Sequence, residues 1–213
     1  MTRCIIITAY LEGFIKDSIE IQKNDFILCA DGGYKIAKQE QITPHLLIGD
    51  FDSFIENLPE KIEIIKHPVE KDDTDTLLCI KYAIEQDYED IVIIGGMGGR
   101  IDHTLSNLQS MSWAMDFWKS KKLKRSIYMC DAKNKVFFLQ DSTIDLEGHV
   151  GDKISLISYT DKCIGVFTNG LKWALCDAVL TNSSPIGISN EFIDSTASIS
   201  VATGKLLITL SKD

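Results

Sequence analysis

The sequence predicts two architectures in succession, an α/β half built on a parallel sheet and a β-rich half built as a small antiparallel sandwich or barrel. Short apolar runs alternate with helical spacing as far as about residue 131, and beyond it the helical periodicity gives way to short β-rich runs separated by Gly, Asn and Asp. A hydrophobic fraction of 45% over 213 residues supports a substantial core.

In chain order, runs 4–9, 26–30, 46–48, 62–65, 91–94 and 127–130 read as strands. Most are continuously apolar, as expected when helices cover both faces of a parallel sheet. Segments 33–41, 74–86 and 103–119 carry helix-like spacing. In the second of these, Leu77, Ile80, Tyr82, Ala83 and Ile84 crowd one side, while Lys81 and Glu85 form an i, i+4 pair outside. Runs 135–139, 153–159, 164–168, 198–201 and 206–210 read as the strands of the second half. The boundary falls near 132–135, giving domains of residues 1–132 and 133–213, with no Pro/Ser-rich linker between them.

A net charge of −9 argues against general nucleic-acid binding, which needs a concentrated basic surface. The one basic run, 119–125, is interrupted and reads as a solvated helix end followed by a turn. The six cysteines are widely spaced and mostly lie inside apolar runs, without a Cys-x-x-Cys pair. They read as buried thiols, which points to a reducing cytoplasm rather than a disulfide framework or zinc site. The first apolar run is too short for a signal sequence, and no run approaches a membrane span.

Four acidic or Gly-rich clusters each follow a short apolar run: Asp31-Gly32-Gly33, Gly49-Asp50-Phe51-Asp52-Ser53, Lys71-Asp72-Asp73-Thr74-Asp75, and Gly95-Gly96-Met97-Gly98-Gly99-Arg100-Ile101-Asp102-His103. In a parallel sheet these loops converge on one crevice at the strand C-terminal ends. Carboxylates gathered there need a counter-ion, and Mg²⁺ held against phosphates is the simplest.

Each cluster also has a local reading. If strand geometry persists, Asp50 and Asp52 point to one side and Phe51 to the other, so the two carboxylates can share a metal; alternatively, Asp52 or Ser53 caps a helix. Asp72, Asp73 and Asp75 exceed what capping the helix of residues 74–86 requires, which favours a metal or phosphate role. The Gly-rich loop lacks the ending of a P-loop and is not the dinucleotide fingerprint, but Arg100 suits phosphate oxygens. His103 packs or caps, or serves as a base; His45, His67 and His149 are isolated. Late in the chain, Gly170-Leu171-Lys172-Trp173 and Gly187-Ile188-Ser189-Asn190-Glu191-Phe192 read as sandwich turns, or as a wall for a flat heteroaromatic ligand stacked on Trp173.

Taken in order, these six motifs resemble thiamine pyrophosphokinase over nearly the whole chain. The resemblance implies a Rossmann-like ATP-binding catalytic domain followed by a β-sandwich that binds thiamine and dimerises. It also implies transfer of the pyrophosphoryl group of ATP to the thiamine hydroxyl, giving thiamine diphosphate and AMP. By that similarity Asp50, Asp52, Asp73 and Asp75 hold Mg²⁺, while Asp31, Gly32, Gly98, Gly99, Arg100 and Asp102 form the nucleotide site. Lys71, Asp72, Trp173, Ser189 and Asn190 contact substrate, with thiamine at the interface of a homodimer. Asp73, then Asp102, is the candidate proton acceptor, and Arg100 the cation at the phosphates. A metal-dependent phosphohydrolase and a non-catalytic nucleotide- or thiamine-sensing module use the same residues and stand as alternatives.

Overall fold

The computed structural model describes residues 2–52, 59 and 61–212, and the chain divides into two compact units, Met1–Ala132 and Lys133–Asp213. Ser53 lies outside the described residues.

The first unit contains, in order, β1 (Arg3–Ile7), α1 (Ile15–Ser18), β2 (Phe26–Ala30), α2 (Gly33–Gln39), β3 (Leu46–Gly49), β4 (Glu63–Lys66), α3 (Asp75–Glu85), β5 (Asp90–Ile94), α4 (Ile101–Ser120) and β6 (Ser126–Cys130). Its strands pair in the order β4-β3-β2-β1-β5-β6, every pairing parallel. The strand order therefore reverses between β1 and β5, which opens a crevice beyond their C-terminal ends.

Both faces of this sheet are dry. Ile5, Ile7, Ile27, Cys29, Leu47, Val92 and Ile94 form one cluster with Ala37 of α2 and with Phe51. The alternate residues Cys4, Ile6, Leu28 and Ile93 are fully buried, and α3 packs on β1, β2 and β3. Unbroken apolar strands follow from this double cover. The exposed strand β4, at the sheet edge, is correspondingly less apolar. The basic run ends α4 and turns at Lys122, and Arg125 pairs with Asp87 and Glu89.

The second unit contains β7 (Asn134–Gln140), β8 (Thr143–Glu147), β9 (Lys153–Ser158), β10 (Lys162–Asn169), β11 (Ala178–Thr181), β12 (Asn190–Glu191), β13 (Thr196–Thr203) and β14 (Lys205–Ser211). Two antiparallel layers result, β12-β9-β14-β7 and β11-β10-β13-β8. Alternation along β9 and β13 buries Ile154, Leu156, Ala197, Ile199 and Val201 between them. The parallel α/β sheet and antiparallel sandwich agree with the fold class read from the sequence. Strands β8, β11 and β12 and helix α1 were not legible there, because each is only two to five residues long and carries too few apolar residues to set a period.

Five cysteines are buried, Cys176 is exposed, and all six are free. Among the described residues no helix is long and apolar enough to cross a membrane.

Candidate active site

A cavity of about 430 Å³ opens in the first unit at the crevice between β1 and β5. Its walls come from the loops after β1, β2, β3 and β5 and from the segment entering α3, including Asp31, Asp50, Lys71, Asp73, Asp75 and Arg100. These residues are distant in sequence and meet only because parallel strands end at the same level.

Asp31 sits where β2 ends, in the left-handed region at φ 42°, with its amide bonded to the carbonyl of Ile48 at 2.8 Å. Its carboxylate accepts a hydrogen bond from the Phe51 amide at 3.2 Å, tying the second cluster to the first. Burial pushes the Asp31 carboxyl above the usual carboxylate range, and the negative charges of Asp75 and Asp50 push the same way against the amides of Gly32 and Phe51.

The Asp50–Asp52 expectation needs correction. Strand geometry stops at Gly49, and Phe51 adopts φ 56° and packs into the core cluster. The Asp52 amide then donates to the Asp50 carboxylate at 3.1 Å, and Asp52 is exposed and lies outside the cavity wall. That amide bond, more than the nearby Lys71 ammonium, holds the Asp50 carboxyl below its usual range. The two carboxylates therefore do not extend one strand face.

In the third cluster the capping task falls to a single residue. Thr74 is the cap of α3, its hydroxyl accepting from the Leu77 amide at 3.3 Å. Asp73 and Asp75 are thereby free of the capping task. Asp75 receives the Lys71 ammonium at 2.7 Å, and that same ammonium lies 3.5 Å from Asp50. Burial opposes the Lys71 charge, but its hydrogen bond to Asp75 and the two carboxylate charges outweigh burial and raise its pKa. Asp73 pairs with Lys81 of α3. Asp72 is exposed and off the wall.

In the fourth cluster, Gly95 has φ 77°, and a Cβ there would sit 2.0 Å from the carbonyl oxygen of Tyr10. Only glycine permits that approach, which the Gly96 amide reinforces by donating to the same oxygen at 2.8 Å. Asn107 of α4 is buried and donates to the Gly96 carbonyl at 2.9 Å, and the Gly98 amide donates to the Thr104 hydroxyl at 3.1 Å. Sequence reasoning missed Asn107, Thr8 and Tyr10, which shape this wall. Arg100 lines the cavity and pairs with exposed Asp102, whose carboxyl it holds below the usual range. Asp102, Gly32 and Gly99 do not line the cavity; Gly98 and His103 do.

Among the described residues no three carboxylate, histidine or cysteine side chains are grouped to hold a metal unaided. The donor chemistry nevertheless fits Mg²⁺, which commonly takes one or two carboxylates and completes its shell with water and substrate phosphate oxygens. Asp50 and Asp75 face a common cation.

The late motifs gather in the second unit. Asn190 is buried, its side-chain oxygen accepting from the Trp173 amide at 3.0 Å and its amide nitrogen donating to the Trp173 carbonyl at 2.8 Å. Trp173 is 54% exposed, so it lies at the surface rather than in the sandwich core. Lys172 lies 4.7 Å from the ring centroid and is held by Glu191 at 2.9 Å. Ser189 adopts φ 58°, with its amide donating to the Ser155 hydroxyl at 3.0 Å.

Comparison with known proteins joins these observations to a family. The family description "Thiamin pyrophosphokinase, catalytic domain" matches residues 19–124, and "Thiamin pyrophosphokinase, vitamin B1 binding domain" matches residues 141–206. The chain is 32% identical over 178 residues to thiamine pyrophosphokinase of Bacillus subtilis, covering 81% of this chain and 80% of that protein. A crystal structure of thiamine pyrophosphokinase from Bacillus subtilis superposes with a TM-score of 0.82 at 26% identity, covering 100% of both chains. A family protein from Enterococcus faecalis gives 0.80 at 26% identity, again over 100% of each chain. With both halves matched in order and one relative similar over most of its length, the chain belongs to the thiamine pyrophosphokinase family, and is an enzyme of that kind.

Proposed function

We propose that this enzyme transfers the pyrophosphoryl group of ATP to the hydroxyl of thiamine, releasing AMP. The observation that carries the reading is the cavity of the first unit, where acidic loops, a Gly-rich turn and two cationic side chains converge at the sheet's reversal point.

The Gly-rich loop between β5 and α4 packs on Tyr10 and Asn107 because it carries no Cβ at Gly95, Gly96 and Gly98, and it brings Gly96 and Gly98 to the cavity wall just before α4, where backbone amides suit a triphosphate. Arg100 and Lys71 supply positive charge to the phosphate oxygens. Mg²⁺ held by Asp50 and Asp75, with Asp73 beside them, would neutralise charge developing around the β-phosphoryl group as AMP leaves. Asp73 takes the thiamine proton: it lines the cavity, whereas Asp102 lies outside and is engaged by Arg100. Lys81 holds the Asp73 carboxylate in place. The acidic walls also favour thiamine's cationic thiazolium ring.

In the second unit, Trp173 supplies a stacking face that Asn190 and Lys172 hold, and Ser189 supplies polar contacts. These residues face thiamine across a homodimer, against the first domain of the partner. The buried free thiols accord with a cytoplasmic enzyme.

Incubation with ATP, Mg²⁺ and thiamine tests the reading. Equimolar AMP and thiamine diphosphate are expected. Formation of ADP with thiamine monophosphate, or phosphate release that needs no thiamine, would overturn it.

A further inference from the structure

Lys71 occupies a telling position. Its ammonium contacts Asp75 at 2.7 Å and Asp50 at 3.5 Å, so one monovalent cation bridges the two carboxylates that face the cavity from different loops. This is not a surface i, i+4 pair of ordinary kind: the side chains of Lys71, Asp75 and Asp50 are only 14%, 26% and 15% exposed. Removing any one of them would leave charge of one sign uncompensated at a poorly solvated place. A single positive charge between two negative ones also leaves the bridge undercompensated, with Asp31 adding further negative charge nearby.

We propose that Lys71 is an exchangeable internal counter-ion, whose ammonium holds Asp50 and Asp75 together in the unliganded enzyme and must leave before a divalent cation can bridge them. This rests on the magnesium-dependent reading above and adds to it an order of events. A divalent ion compensates both carboxylates at once, whereas the ammonium compensates one. Since Mg²⁺ approaches carboxylate oxygens to about 2.0–2.1 Å, it and the ammonium cannot occupy the gap together. The displaced ammonium stays tethered within the cavity wall, where phosphate oxygens supply the negative charge it has lost. Metal alone therefore binds against an internal competitor, whereas metal arriving with nucleotide displaces the same ammonium onto a new anionic partner and meets less opposition. The lysine couples the two ligands.

The test is titration of the unliganded protein with Mn²⁺ alone, followed by electron paramagnetic resonance of the free ion. Lys71→Met and Lys71→Gln should bind Mn²⁺ at least about 10-fold more tightly than the wild type, while Lys71→Arg, which keeps the competing charge, should stay within about 3-fold of it. Affinity unchanged or weakened in both neutral variants would overturn the proposal, as would an arginine variant that tightens as much as methionine. Two neutral substitutions, each checked for a wild-type unfolding transition, guard against a folding defect in either. The readout is independent of turnover: AMP formation by the wild type with no Mn²⁺ effect removes only the role of Lys71, and a Mn²⁺ effect without AMP formation removes only the activity assignment.

Discussion

The Asn190 side chain brackets the backbone of Trp173, accepting from its amide at 3.0 Å and donating to its carbonyl at 2.8 Å. A buried residue thus fixes the main chain beneath an exposed indole, and Lys172 steadies one ring face. On the function proposed above, thiamine meets an indole whose backbone is already fixed, which lowers the ordering cost of stacking.

Asn190→Ala removes both bonds and leaves two backbone groups of Trp173 to find water. The variant should lose about 1–3 kcal/mol of stability and raise the KM for thiamine about 10-fold, with kcat changed much less. Urea unfolding and steady-state kinetics at varied thiamine check both parts. An unaltered KM would remove Asn190 and Trp173 from the acceptor site.

Asp73→Asn keeps the shape of the side chain and deletes the proposed proton acceptor. Turnover should fall about 100-fold or more, while stability changes by less than about 1 kcal/mol, since the Lys81 pair is partly solvated. Wild-type AMP release in this variant would refute the assigned role.

Gly95→Ala places a Cβ 2.0 Å from the Tyr10 carbonyl oxygen and holds a side-chain residue at φ 77°. The left-handed conformation alone costs about 1–3 kcal/mol, and the clash with backbone forces the Gly-rich loop to move. Stability measured by urea should drop accordingly, and the KM for ATP should rise. A variant with wild-type KM would show that the loop does not contact nucleotide.

Asp25 provides the pH test. Burial alone would raise its carboxyl, yet hydrogen bonds from Arg3 and the Gln22 amide outweigh burial and hold it below the ordinary 3.8. A depressed folded pKa means that the stabilisation is present above the unfolded value and is lost as pH falls through the folded one. Asp25→Asn should therefore cost about 2 kcal/mol at pH 7, and the difference from wild type should shrink below about pH 4. Urea unfolding at both pH values checks the sign; an equal difference at both would contradict it.

Much of this protein was legible from local pattern. Unbroken apolar runs marked the doubly covered strands, and short β-rich runs between turn residues marked the antiparallel half, because both are short-range signals of backbone preference and burial; the order of the six motifs pointed to the family. The excess of aspartates over capping need was also readable, and Thr74 proves to be the cap. The fate of each carboxylate was not. Asp52 leaves the cavity because Phe51 turns into the left-handed region to bury its ring, a choice made by the core rather than by the Asp-Phe-Asp spacing. Lys71 meets Asp50 only where the loop after β3 and the segment entering α3 converge, and Asn190 meets Trp173 seventeen residues away. Residue chemistry and periodicity are written along the chain, whereas charge pairing across loops depends on where separate strands end, and tertiary packing alone decides that.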